Sequence, residues 1–308
     1  MPTFCRHNRL LQRCPICTGE QQQELPRSPS RPRARGLPKQ VKIGRVARAE
    51  DDGYRSELVP GLKSSADAAR LAQELAFATE RLSRLAEKPP GLYAEVADRS
   101  LDVEERTWLA FLIAYLCPLE ADDPFASVRE TRTPWASGAQ PELGTIATGP
   151  RTAHDLARGA GTLEAYRAWA SRAGSQRAAF HGDGAWSPER RFARIYERLA
   201  LPGFHRDARF ELLVSLGSLG VYELRAGALQ LGAHDEVTTA AKRALGIGDP
   251  LLLERRAAEL ARACEVPLEA LDLGLYNWGR GERVYLGVPQ ADVREPAVVA
   301  SARAALGV

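Results

Sequence analysis

Long apolar runs are missing from this 308-residue chain: the longest, residues 108–116, is too short to cross a bilayer. The N-terminus has arginines and paired cysteines where a signal peptide would need an apolar region, so a cytoplasmic protein without a membrane partner is expected. Gly246-Ile247-Gly248-Asp249 lacks the Lys-Ser/Thr of a phosphate-binding loop, which argues against a nucleotide cofactor. No Ser-His or Cys-His pair has the context of a nucleophile, and no internal repeat is present. Strand patterns are scarce, limited to residues 220–224 and 284–288. After Lys88 the only lysine is Lys242.

What is there is helical. Apolar spacing predicts helices over residues 66–85, 101–116, 162–173, 187–200, 206–216, 236–245, 250–264 and 267–278. The length allows a substantial core, and the expected class is all-α, a bundle of six or more helices. Residues 120–150, rich in Pro, Gly, Thr and Ser, read as a long loop of the kind that often carries function. Cys117 and Cys264 fall in apolar helical patterns and are expected to be buried bystanders.

Charge is unevenly spread. Residues 1–48 hold eleven Lys and Arg against two Glu, a net +9, so the remainder carries −6 within a total of +3. A basic arm on a mildly acidic body suits a phosphate-bearing partner, the bland alternative being a solvated linker. Arg190, Arg191, Arg194, Arg198, Arg206 and Arg209 meet only Glu197 and Asp207 over residues 190–209, a basic patch that favours DNA.

Three of the five cysteines lie in the first seventeen residues as Cys5-x-His7-x6-Cys14-x2-Cys17. This donor set suits tetrahedral Zn²⁺, and four protein ligands make a structural ion clamping a terminus too short to fold alone. A Cys14–Cys17 disulfide is the alternative. The expected organisation is a zinc knuckle over residues 1–20, a basic Pro/Arg-rich linker over 21–60 and a helical domain over 61–308.

The richest stretch lies within that domain. Leu201-Pro202-Gly203-Phe204-His205-Arg206-Asp207-Ala208-Arg209 reads as a hairpin between two helices, spanning roughly residues 190–217, whose open backbone amides can hold a phosphate. Asp235 opens the next helical pattern and is either its N-cap or a catalytic carboxylate. Asp207 is the second candidate, its bland reading an ion pair with Arg206 or Arg209. Asp249 and Asp272 stand in reserve, Asp249 as a plausible cap for the helix starting at Pro250.

Leu-Pro-Gly-apolar followed by Asp235, with Leu245 and Gly246 at its eleventh and twelfth positions, resembles the helix-hairpin-helix DNA glycosylases. A closer resemblance, over residues 101–278, is to the α-glutamyl/putrescinyl thymine pyrophosphorylase clade of that superfamily. It rests on Phe4-Cys5-Arg6-His7-Asn8, Phe111-Leu112-Ile113-Ala114-Tyr115-Leu116, Ala240-Ala241-Lys242-Arg243, Gly246-Ile247-Gly248-Asp249 and Leu268-Glu269-Ala270-Leu271-Asp272-Leu273. The resemblance implies a glycosylase-like bundle acting on double-stranded DNA, with Gly203, His205, Arg206, Arg209, Lys242 and Arg243 toward the duplex.

Two positions depart from the pattern. His205 replaces the second hairpin glycine, which bears on one phosphate contact because glycine reaches positive φ without strain. Asp207 stands where bifunctional glycosylases keep a Schiff-base lysine, so no β-lyase step is expected. A flipped base needs an aromatic pocket or wedge, for which Phe125, Trp135 and Trp186 are candidates, with partial burial as the plainer reading. Trp108, Trp169 and Trp278 are expected in the core. The resulting expectation is a monofunctional N-glycosyl hydrolase that excises a bulky modified base, such as glycosylated 5-hydroxymethylcytosine or hypermodified thymine, from phage DNA in antiviral defence. The alternatives are a transferase displacing pyrophosphate from an activated 5-hydroxymethylpyrimidine in DNA, and a non-catalytic DNA-binding module.

Overall fold

Twelve α-helices and no strand make up the described residues of the computed structural model, which are 49–232, 234–288 and 296–308. The helices are α1 (Ser65–Glu87), α2 (Leu92–Ala97), α3 (Val103–Leu116), α4 (Ala126–Thr131), α5 (Gly159–Arg172), α6 (Gln176–His181), α7 (Pro188–Arg198), α8 (Arg206–Ser218), α9 (Glu236–Leu245), α10 (Pro250–Ala263), α11 (Leu268–Arg280) and α12 (Pro296–Leu306). None is long and apolar enough to cross a membrane.

Two helices are buried nearly all round, and the rest pack on them. In α3 the residues from Arg106 to Leu116 are all buried, and Asp102 caps the start by accepting from the amides of Glu104 and Glu105. α3 packs on α8, with α2, α4 and α6 around it. In α11 every residue from Ala270 to Trp278 is buried, against α1 on one side and α9 on the other, and α12 also packs on α1. α1 meets α8 through a buried ion pair, Arg81 Nη2 to Glu211 Oε1 at 2.6 Å. Trp108 and Trp278 are fully buried and Trp169 nearly so. Cys117 and Cys264 are buried free thiols, pushed up to about 12 and about 11 by desolvation.

The two expected strands do not form, because other groups satisfy their backbones. After α8 the Val221 amide turns back to Leu216 O, with Gly220 at φ 65. Over residues 284–286, Asn277 Oδ1 accepts from Val284 N, and the Glu120 carboxylate accepts from the amides of Tyr285 and Leu286. The loop over 120–150 contains α4 and a short 3-10 turn, Trp135–Ser137. Four short or late helices, α2, α4, α6 and α12, form without a matching sequence expectation. The zinc knuckle and residues 21–48 of the basic linker lie outside the described residues.

Candidate functional site

α7 leads into the hairpin. Ser187 caps it, accepting from Arg190 N at 3.2 Å, with Pro188 in the first turn, and its inner face is Arg191, Phe192, Ile195 and Tyr196. Phe204 N donates to Leu201 O at 3.1 Å across Pro202-Gly203, with Gly203 at φ 78, the Pro-Gly order of a type II turn. Thr162 Oγ1 on α5 donates to Pro202 O at 2.8 Å, and a Cβ on Gly203 would stand 2.4 Å from that hydroxyl. Phe204 is buried against Phe111 and Tyr115 of α3. The turn is therefore anchored on two sides, and the amides of Gly203 and His205 donate to no protein atom among the described residues.

His205 needs no glycine. Its φ is −66, ordinary extended backbone, and it N-caps α8 without a side-chain bond, leaving the first-turn amides of α8 without a side-chain acceptor.

Arg206, expected at a DNA phosphate, points inward instead. Its guanidinium is 3% exposed and donates to Asp272, to Asp207 at 3.0 Å and to Leu229 O. Asp272 bridges to a second buried guanidinium, Arg151, at 2.6 Å, and Arg151 lies 3.6 Å from Asp207 and 4.7 Å over the Tyr276 ring. Burial alone would raise the Asp272 carboxyl, but Arg206 and Arg151 outweigh it and hold it below its ordinary value. Burial likewise opposes the charge of Arg206, and Asp272, Asp207 and Asp235 together more than restore it. Asp272 is thus a buried ion-pair partner, while Asp207 remains at the partly exposed edge of the cluster.

Asp235 is the N-cap of α9. One carboxylate oxygen accepts from Thr238 N at 2.8 Å and the other from Thr238 Oγ1 at 2.8 Å. The side chain is half-buried, and its charge reaches Arg206 and Tyr196. Asp235, Asp207, Asp272 and Arg206 are therefore neighbours electrostatically, although 66 residues separate Arg206 from Asp272 in sequence. Asp249 caps α10, accepting from Leu252 N at 2.9 Å, as its place before Pro250 predicts. No group of three or more His, Cys, Asp or Glu among the described residues is arranged to hold a metal.

The remaining candidates scatter. Arg209 is half-buried with its guanidinium 4.3 Å over Tyr196, beside the hairpin. Lys242 and Arg243 lie in the last turn of α9, at the end opposite Asp235, and Arg243 stacks 3.8 Å over Trp278. Phe125 is placed as a pocket wall and not as a wedge: it is 3% exposed, edge-on to Tyr93, packed against Gly91 and Gly287, where a Cβ would come within 2.5 and 2.7 Å of its ring, and it lines a cleft with Leu119 and Tyr285. Trp135 is half-buried against Trp108 and Tyr166, with Arg167 4.4 Å above it. Trp186 is half-buried beside Gly182, under Arg198 of α7. The three aromatics do not converge on one pocket.

Sequence reasoning missed Arg151 and Tyr276. Arg151 sits alone at the end of the Gly149-Pro150 loop with no periodic signal. Gly149 could have marked it: a Cβ there would lie 2.0 Å from Pro118 O, a close crossing of two chain segments that only glycine permits. No family model matches the chain, and no curated protein or solved structure matches it.

Proposed function

We propose that this chain is a monofunctional DNA glycosylase that cleaves the bond between deoxyribose and a bulky modified base. The observation that carries the reading is the hairpin over residues 201–205, held rigidly by Thr162 and Phe204 with two amides open, followed by Asp235 at the start of α9. Open amides at a turn preceding a helix N-terminus suit a phosphate. Breaking an N-glycosidic bond builds positive charge on the sugar, and one carboxylate near that sugar stabilises it and orients water. Asp235 fits this role because its two bonds to Thr238 fix the carboxylate's direction without neutralising it. Asp207, in contrast, shares its charge with Arg206 and Arg151. With an acid at position 207, no amine stands in the hairpin for β-elimination.

The substrates in view are phage genomes with glycosylated 5-hydroxymethylcytosine or hypermodified thymine, and the biological role is antiviral defence in the cytoplasm. Cys5, His7, Cys14 and Cys17 supply a donor set for one structural zinc; metal analysis of purified protein should find one zinc per chain, lost in Cys14→Ser.

The test is mass spectrometry of bases released from such genomes by the wild type and by Asp235→Asn. Release of one modified base by the wild type alone is the expected result. Release of pyrophosphate instead would make the chain the amine-adding transferase, and retention of DNA with no product from any genome would make it a binding module.

A further inference from the structure

At the N-terminal end of α3 lies a cleft of about 430 Å³, within the size range of small-molecule sites. The hairpin packs through Phe204 on Phe111 and Tyr115 of α3, neither of which lines the cleft, so the two share a helix but no lining residue. Trp108, Leu109, Leu112 and Pro134 give it an apolar lining, and Leu101, 45% exposed, stands at its edge. Thr133 O fixes the indole of Trp108 by accepting from Nε1 at 2.8 Å.

The charged groups lining the cleft are unequal in one respect. Glu95 is paired with Arg132 at 2.7 Å. Glu105 accepts from the amides of Trp135 and Ala136 at 2.8 and 3.1 Å. Arg106, 93% buried by its exposure of 7%, makes one hydrogen bond, Nε to Val96 O at 2.7 Å. Its Nη2 is buried without any partner, and although it feels the charge of Asp98, no carboxylate among the described residues is in ion-pair contact with the guanidinium. A buried cation with neither a carboxylate in contact nor full hydrogen bonding is costly, and elsewhere in this protein buried arginines touch one: Arg81 meets Glu211, and Arg151 and Arg206 meet Asp272.

We infer that this cleft binds a small molecule with a flat apolar body and one carboxylate, the carboxylate taking the place of the missing partner of Arg106. The apolar body lies along Trp108, Leu109 and Leu112, and Leu101 closes over its outer edge. The site is independent of the glycosylase reading.

Calorimetric titration of the full chain with 2-naphthoate, against its neutral isostere 2-naphthamide, tests the inference. The naphthoate should bind at least about tenfold more tightly, the worth of one charge-assisted hydrogen bond. Arg106→Gln should erase that preference. Leu101→Trp, at an exposed position the fold does not need, should weaken both compounds by a similar factor through crowding of the mouth. Melting curves report whether each variant is folded; should Arg106→Gln fail to fold, Arg106→Lys, which keeps the charge but loses the fork, should reduce the preference instead. Absence of naphthoate binding, equal binding of the two compounds, or naphthoate binding unchanged in Leu101→Trp would each overturn the site.

Discussion

Asp235 carries two roles that substitution can separate. As the cap of α9 it holds Thr238 N, and asparagine caps nearly as well as aspartate, so Asp235→Asn should melt within a few tenths of a kcal/mol of wild type while losing base release. Asp235→Ala should cost a further roughly 0.5–2 kcal/mol in urea unfolding. Asp272 behaves differently. Its removal strands Arg151 and Arg206 in the interior, and Asp272→Ala should destabilise by about 3–5 kcal/mol, a loss most folds of this size barely survive. The folded Asp272 carboxyl titrates below its ordinary value of 3.8, so the unfolded chain takes up the proton first as pH falls. Its contribution is therefore full at neutral pH, begins to fade near the ordinary value and is gone below the folded one; Asp272→Asn should flatten this acid limb in melting curves taken between pH 6 and 2. At this scale the sequence misleads in part. Arg206 reads as a phosphate ligand because only its neighbours along the chain are visible, whereas the carboxylate that draws it inward stands on α11. Asp235 and Asp249 are legible as caps because a cap and its helix are contiguous.

The hairpin between α7 and α8 works as one unit, and its rigidity has a local origin. Gly203 combines a left-handed backbone with a neighbour, Thr162 Oγ1, that leaves no room for a methyl group. Gly203→Ala should lower stability by at least about 1–2 kcal/mol, the cost of that conformation for an L-residue, and urea titration measures it directly. Thr162→Val removes the tie from α5 to Pro202 O, together with the same hydroxyl's longer bond to Arg158 O, and so asks whether the turn's position matters for DNA affinity apart from its shape. The long helices are legible to within a few residues, since periodicity and caps are local signals. α2 and α6, six residues each, are too short to show a period. The would-be strands at 220–224 and 284–288 fail because β-like composition says nothing about which acceptor the backbone finds, here a helix carbonyl, Asn277 and Glu120.

Across the whole molecule the charge asymmetry is the property most open to measurement. If the basic arm follows the DNA backbone, neutralising Arg31, Arg33 and Arg35 to Gln should reduce the slope of log affinity against log salt by about 0.9 for each phosphate that an arginine had neutralised, with little change in which base is released. An unchanged slope would make the arm a tether. The burial of Cys117 and Cys264 has a practical reach beyond packing. Both sulfurs are shielded and their thiolates suppressed, so any thiol that reacts quickly in the native protein belongs to Cys5, Cys14 or Cys17. The folded body is then a silent background against which an ordinary colorimetric thiol count reads the chemistry of the first seventeen residues alone. A chelator that unmasks three thiols would identify a metal site there, and a count fixed at one until reductant is added would identify a disulfide.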